Sequence, residues 1–155
     1  MNVSLITGAG TGIGLATALA FLKSGVAVVG IGRRPDKLDA LLKAAGAQAD
    51  MVATLAIDVT QDDAPERSVA LAMSRFGRLD YLVNNAGVGS PKPVHETDDD
   101  MLDRSLDLML RAPFRLTRQA LEVMQSGGSI VNVSSTYALL GGLRGGAYSA
   151  AKAGL

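Results

Sequence analysis

Apolar residues follow two alternating patterns from the beginning of the chain. Near-continuous apolar runs at Val3–Thr7 and at residues 26–31 are typical of strands that are buried on both faces. Residues 12–24, between these runs, carry apolar side chains at helical spacing and end before Gly25, a favourable C-terminal cap. The three segments together predict a strand–helix–strand unit with parallel strands.

The same alternation continues through the rest of the chain. Pro35 stands where a second helix should begin, and residues 37–45 continue that helix to Gly46. The other predicted strands are residues 51–57, 79–83 and 129–133, and the other predicted helices are residues 63–76 and 98–125. Strands that alternate with helices predict an α/β fold with a doubly wound parallel sheet. A length of 155 residues fits one such domain.

A glycine-rich turn separates the first predicted strand from the first predicted helix. The turn has the spacing Thr-Gly-x-x-x-Gly-x-Gly, formed by Thr7, Gly8, Gly12 and Gly14. The common dinucleotide-binding motif Gly-x-Gly-x-x-Gly does not fit, because residue 13 is Ile. N–H groups at a helix start lack internal partners, and glycines let an anion approach the backbone closely. The turn therefore predicts a dinucleotide diphosphate site, and a simple tight turn is the alternative. The candidate residues are Gly8, Thr11, Gly12, Ile13 and Gly14.

Arg33 and Arg34 follow the second predicted strand, where dinucleotide-binding folds that select NAD carry an acidic residue. Guanidinium groups bind a phosphate in bidentate fashion, and no carboxylate at this position repels a 2′-phosphate. The expected cofactor is therefore NADP, with NAD less favoured. A solvated arginine pair without a ligand is the alternative.

Ser135, Tyr148 and Lys152 form a candidate catalytic group. Tyr148 and Lys152 are four residues apart, which places them on one face of a helix. A phenol ionises near pH 10, too high for efficient proton exchange at neutral pH, and a nearby ammonium favours the phenolate. Ser135 is placed to hydrogen-bond a substrate carbonyl or alcohol. A surface Tyr–Lys pair without a function is the alternative.

Composition narrows the possible functions. The chain has 15 Lys and Arg against 15 Asp and Glu, so no basic surplus indicates nucleic-acid binding. It has no cysteine and one histidine, which argues against thiol catalysis, disulfides and a transition-metal site. No stretch approaches the roughly 20 apolar residues of a membrane span, and no leader pattern is present. The sequence therefore predicts a cytoplasmic protein that does not associate with membranes.

Four motifs together resemble those of the short-chain dehydrogenase/reductase family. They are the turn from Thr7 to Gly14, the Asn-Asn-Ala-Gly sequence at residues 84–87, Ser135, and the Tyr148-x-x-x-Lys152 pair. The chain resembles the N-terminal part of a family member and should have a Rossmann-type sheet in the strand order 3-2-1-4-5. The family's later strands are missing, so we expect residues 1–155 to be a single NAD(P)-binding domain truncated after the Tyr-x-x-x-Lys motif.

The resemblance implies reversible hydride transfer between NADP and a small carbonyl or alcohol substrate. In this interpretation Tyr148 is the general acid/base, Lys152 binds the nicotinamide ribose, and Ser135 positions the carbonyl. Further cofactor contacts are implied for Asp58, Val59, Asn85, Ala86 and Gly87. Homodimers or homotetramers are also implied. A dinucleotide-binding sensor or scaffold module with weak or no catalysis is the alternative function.

One position departs from the family pattern. Met109 stands where family members usually carry an Asn, and its side chain has no hydrogen-bond donor. Pro113, four residues later, lacks an N–H and clashes with the carbonyl of residue 109 in a regular helix. We therefore expect a kinked helix in which the Met109 carbonyl holds the water that relays protons to the lysine in the family. Core packing of Met109 without a catalytic role is the alternative.

Overall fold

A computed structural model describes residues 1–89 and 91–155 and contains a five-stranded parallel sheet. The strand order is β3-β2-β1-β4-β5. The strands are β1 (Val3–Thr7), β2 (Ala27–Gly32), β3 (Val52–Ala56), β4 (Tyr81–Asn84) and β5 (Ser129–Asn132). All four neighbouring pairs are parallel. The predicted α/β class and strand order are therefore confirmed.

Seven α-helices are found in the described residues. They are α1 (Gly12–Lys23), α2 (Pro35–Ala45), α3 (Ala64–Phe76), α4 (Asp99–Leu106), α5 (Ala112–Leu121), α6 (Tyr137–Leu140) and α7 (Gly146–Gly154). Short 3-10 helices span Gly46–Met51 and Val94–Glu96. As the sequence predicts, Pro35 opens α2, and Gly77 ends α3 in the left-handed conformation at φ 76°.

The hydrophobic core lies in two layers, one on each face of the sheet. Successive strand residues point to opposite faces, so neighbours such as Leu5 and Ile6 enter different layers. One layer packs the strands against α3 and α5 and includes Leu116, while the other packs them against α1 and α2 and includes Leu22 and Leu41. Burial on both faces explains the near-continuous apolar runs in β1 and β2.

The predicted helix at residues 98–125 is divided in the structure. A π-helical turn at Asp107–Arg111 separates α4 from α5, and α5 ends at Leu121 rather than at residue 125. The break lies just before Pro113, which cannot donate a backbone hydrogen bond. The sequence predicts a kink in this helix, and the structure places a π turn just before Pro113.

β5 lies at one edge of the sheet and pairs only with β4 among the described strands. Its residue Val131 is 51% exposed. In the part of the chain that the structure describes, no helix combines the length and the apolar character needed to cross a bilayer.

Candidate active site

The glycine-rich turn has the geometry of an anion-binding loop. Gly12 has a φ of +54°, and outside its own helix turn no atom of the described residues lies within 4 Å of a β-carbon built there. Thr11 is the N-cap of α1, but its side chain does not cap the helix, so the first N–H groups have no side-chain partner. A β-carbon on Gly14 would lie 2.2 Å from the Gly8 carbonyl oxygen, so α1 packs directly on the turn. These residues fit a diphosphate group.

Hydrogen bonds join the turn to the loop after β4. The Thr7 hydroxyl accepts from the N–H groups of Asn85 and Ala86, each at 3.0 Å. The Asn85 side-chain amide donates to the Thr7 carbonyl at 2.9 Å. On the other side of β4, the Asn84 amide donates to the Asn132 side-chain oxygen at 2.9 Å. The carboxyl ends of β1, β4 and β5 are thus held together at one edge of the sheet.

A first cavity runs along this edge from the glycine turn to the end of β3. Eight predicted cofactor residues line it: Gly8, Thr11, Arg33, Arg34, Asp58, Val59, Ala86 and Gly87. Four others lie beside it without lining it: Gly12, Ile13, Gly14 and Asn85. Ile13 is 64% exposed. Arg33 Nη1 lies 3.6 Å from Asp58 Oδ2, so a cation and an anion face each other where β2 and β3 end.

The first cavity also contains residues that we did not predict from the sequence. Lys37 lies in the first turn of α2 and lines the cavity with Gly10 and Leu108. A β-carbon on Gly10 would lie 2.7 Å from the Lys37 β-carbon, so the start of α2 packs closely on the glycine turn. The position of Lys37 two residues after Pro35 is the sequence signal that points to it, since the first turn of a helix faces the strand end that precedes it.

A second cavity brings together two of the candidate catalytic residues. Ser135 and Tyr148 both line it, with Tyr137, Leu143 and Arg144 among the other lining residues. The rings of Tyr137 and Tyr148 are in edge-to-face contact, with centroids 6.2 Å apart and planes at 84°. The predicted serine and tyrosine therefore open to one space.

Lys152 lies behind the tyrosine and is 4% exposed. Its Nζ is 6.0 Å from the centre of the Tyr148 ring and donates to the Val133 carbonyl at 2.6 Å. Burial lowers the pKa of the Lys152 ammonium below its usual value. The predicted Tyr–Lys pair is thus adjacent in space, with the phenol at the cavity and the ammonium buried below it.

The π turn changes which backbone carbonyls are left without helical donors. The Ala112 N–H donates to the Asp107 carbonyl, and Pro113 has no N–H. The Leu108 carbonyl therefore lacks both an α-helical and a π-helical N–H donor, and the Met109 carbonyl lacks its α-helical donor. The sequence predicts a carbonyl without a donor only at Met109, because that prediction takes the helix before Pro113 to be a regular α-helix. The Met109 side chain itself is fully buried.

Comparison with known proteins agrees with this geometry. The profile of the short chain dehydrogenase family matches residues 2–155. A 3beta-hydroxysteroid dehydrogenase of Mediterraneibacter gnavus is 38% identical over 153 residues, covering 97% of this chain and 55% of that protein. A 3-oxoacyl-(acyl-carrier-protein) reductase of Thermotoga maritima is 35% identical over 156 residues, covering 99% of this chain and 61% of that protein.

Solved structures give the same result. A Brucella melitensis short-chain dehydrogenase/reductase, described as a glucose/ribitol dehydrogenase, superposes with a TM-score of 0.94 at 35% identity. That match covers 98% of this chain and 64% of the other. An NAD+-bound xylitol dehydrogenase superposes with a TM-score of 0.93 at 30% identity, covering 99% and 60% of the two chains. This chain therefore spans 55–64% of the length of these four proteins.

The profile match over almost every residue, the relatives and the superpositions agree with the four sequence motifs and with the strand order. The chain belongs to the short-chain dehydrogenase family.

Proposed function

We propose that this chain carries the cofactor site and the proton-transfer residues of an NADP-dependent oxidoreductase that interconverts a carbonyl and an alcohol. The observation that carries the proposal is the shared cavity of Ser135 and Tyr148, with the Lys152 ammonium 6.0 Å from the Tyr148 ring. The substrate is a small molecule. When bound, the nicotinamide supplies the hydride for reduction or accepts it for oxidation.

The first cavity holds the cofactor in this proposal. The uncapped start of α1 and the open face of Gly12 suit the diphosphate, while Asp58 and Val59 line the end that takes the adenine. Gly87 also lines the cavity, and a β-carbon there would lie 3.6 Å from Lys152 Nζ, so the cavity approaches the catalytic lysine. This continuity supports binding of the whole dinucleotide across the carboxyl edge of the sheet.

Arg33 and Arg34 favour NADP over NAD in the proposal. Both line the first cavity, and Lys37 adds a third cationic side chain. The Arg33 guanidinium is largely exposed, and its Nη1 lies 3.6 Å from Asp58 Oδ2. A 2′-phosphate there would gain charge-assisted hydrogen bonds. One structural relative is described as NAD+-bound, so NAD is the competing cofactor to test.

Proton transfer is assigned to Tyr148 in the proposal. Tyr148 exchanges a proton with the substrate oxygen, and Ser135 holds that oxygen from the same cavity. Lys152 has a pKa lowered by burial, so it releases a proton more readily than an exposed lysine would. Its location against Tyr148 suits it to favour the phenolate and to contact the nicotinamide ribose.

The Met109 carbonyl holds the relay water behind Lys152 in this proposal. Pro113 removes the α-helical donor of that carbonyl, and the Met109 side chain is fully buried. In place of the family's usual Asn amide, this position then offers the Met109 backbone carbonyl, which has no α-helical donor because residue 113 is proline. The side chain contributes packing only.

The proposal also includes self-association and a cytoplasmic location. On α5, Phe114 is 68% exposed and Leu121 is 61% exposed, so the outer face of this helix carries two large apolar side chains beside Arg118. A homodimer or homotetramer would bury this face. Sedimentation of the wild type and of a Phe114→Ser variant tests this self-association, since the variant should sediment as a smaller species.

Cofactor binding and turnover test the main proposal separately. Calorimetric titration should show NADPH binding at least tenfold more tightly than NADH, and Arg33→Ala should remove most of that preference. Lys43→Ala, an exposed change on α2 that lines neither the first nor the second cavity, is the control and should change neither affinity. NADPH oxidation with a carbonyl panel should fall by about 10²–10⁴-fold in Tyr148→Phe. Cofactor binding without turnover would instead support a sensor or scaffold module.

A further inference from the structure

Arg144 has an unusual backbone conformation at the wall of the second cavity. It is the one non-glycine residue among those described with a positive φ, at 58°. Glycine adopts this conformation without the steric penalty of a β-carbon, and the surrounding sequence is rich in glycine at positions 141, 142, 145 and 146. An arginine in the left-handed region is thus an observed outlier that calls for a functional explanation.

The position of Arg144 beside the candidate catalytic residues supplies this functional explanation. Arg144 lines the same cavity as Ser135 and Tyr148, and no acidic side chain lines that cavity among the described residues. Arg144 also makes no ion pair within residues 1–89 and 91–155. A cationic group therefore faces the space next to the candidate acid/base without an internal counter-charge.

The rest of the wall is mostly apolar. Tyr137 and Pro91 line the cavity, and Leu143 lines it while remaining 93% exposed. The loop that carries Arg144 is held in place by a β-bridge between Lys92 and Gly145. A ligand in this cavity would contact the polar pair Ser135 and Tyr148, an apolar wall, and the Arg144 guanidinium.

We propose that Arg144 is a specificity residue that binds a carboxylate on the substrate. The proposal rests on the proposed function and narrows it: the substrate is an oxo acid or hydroxy acid with an apolar body between its reacting carbon and its carboxylate. The planar guanidinium binds a carboxylate through two parallel hydrogen bonds. The reacting oxygen then lies at Ser135 and Tyr148, and the apolar body lies against Tyr137 and Leu143.

The test compares 4-formylbenzoate with its methyl ester, and levulinate with methyl levulinate, as probe pairs in which the ester removes the negative charge and adds one methyl group. Wild-type protein with NADPH should show a lower KM for each acid than for its ester. Arg144→Gly should raise the KM for the acids about five- to tenfold, leave the kcat and the ester KM unchanged, and not lower the unfolding temperature. Arg144→Lys should retain part of the preference for the acids, and Lys43→Ala, an exposed change outside both cavities, should retain all of it.

Calorimetric binding of the same probes to the protein saturated with NADP keeps the two proposals distinguishable. If neither acid nor ester turns over, but the acids still bind more tightly and lose that advantage in Arg144→Gly, the proposed oxidoreductase function fails and the carboxylate site stands. Equal binding of acids and esters by the wild type, or equal losses for both in Arg144→Gly, would overturn the carboxylate site.

Discussion

Met109 and Lys152 lie on the same side of Gly87: a β-carbon built on Gly87 would be 3.4 Å from the Met109 sulfur and 3.6 Å from Lys152 Nζ. Met109 is fully buried and Lys152 is 4% exposed, so the apolar thioether and the ammonium both lie out of solvent beside Gly87. The lowered pKa of Lys152 is caused by this burial. An amide at position 109 would give the lysine a more polar neighbour.

The first prediction concerns Met109. If its carbonyl serves the relay, Met109→Leu should keep kcat within about threefold of the wild type, because the backbone and the apolar packing remain. Met109→Asn should not raise kcat and should lower the free energy of unfolding by about 1–3 kcal/mol, because it buries an amide without assured partners. Steady-state kinetics and urea unfolding measure both. A gain of about 100-fold or more in the kcat of Met109→Asn would show that the carbonyl does not replace the amide.

The second prediction concerns a water molecule beside the π turn. Asn84 Oδ1 is buried and has no hydrogen-bond partner among the described residues, and the Leu108 carbonyl lacks a helical donor. Both residues line a small cavity of about 10 Å³, which is close to the volume that one water centre requires. One water can donate to both oxygens, so a high-resolution crystal structure should contain it.

Asn84→Leu tests for this water, because it removes the Asn84 side-chain oxygen that the water would contact. It should lose the water and lower the free energy of unfolding by about 2 kcal/mol, because the partners Thr117 and Asn132 lose a donor. Wild-type crystals without electron density between Asn84 Oδ1 and Leu108 would contradict the prediction.

The third prediction concerns the contact between Gly14 and Gly8. A β-carbon at Gly14 would lie 2.2 Å from a backbone oxygen, which cannot move without displacing β1 or α1. Gly14→Ala should therefore lower the free energy of unfolding by about 3 kcal/mol and weaken NADPH binding strongly. Gly89→Ala is the control, since no atom of the other described residues lies within 4 Å of a β-carbon there. Equal stability of the two variants would mean that α1 does not pack on the turn as described.

Sequence periodicity was sufficient to predict the sheet. β1 and β2 are buried on both faces, β1 ends directly before Gly8, and β2 begins two residues after Gly25, so their ends were predicted within about one residue. The helix at residues 98–125 was less predictable, because its apolar spacing continues through Pro113 and does not distinguish a kink from a π turn. The short helix α6 was not predicted, since its four residues, Tyr137–Leu140, are too few to show a period.

The candidate site was predicted in the same uneven way. The turn motif and the Tyr–Lys spacing are local, and both predicted groups line or border a cavity in the structure. Leu108 enters the first cavity through the π turn, which no local pattern encodes. Lys37 enters it from the first turn of α2, whose start at Pro35 is visible in the sequence. Arg144 was missed because a charged residue in a glycine-rich loop is typical of a solvated surface, and its φ is known only from the structure.

The last prediction concerns acid stability and depends on Asp80. Its carboxylate accepts from Arg78 at 2.6 and 2.9 Å and from the Val3 N–H at 2.8 Å, and it is largely buried. The hydrogen bonds from the Arg78 guanidinium are the main cause that lowers the pKa of Asp80 below 3.8, and the Val3 N–H lowers it further. The carboxylate thus ties the start of β1 to the segment that enters β4.

Because the folded state holds this pKa below the unfolded value of about 3.9, the stabilisation is complete above that value and is lost as the pH falls through the folded pKa. Asp80→Asn should therefore lower the free energy of unfolding by about 2 kcal/mol at pH 7, and the difference from the wild type should shrink below about pH 4. Urea unfolding at pH 7 and pH 3 measures this difference in the free energy of unfolding. Asp103→Asn, an exposed change on α4, should show no difference at either pH. A deficit in Asp80→Asn that stays constant down to pH 3 would show that the negative charge of Asp80 does not stabilise the fold.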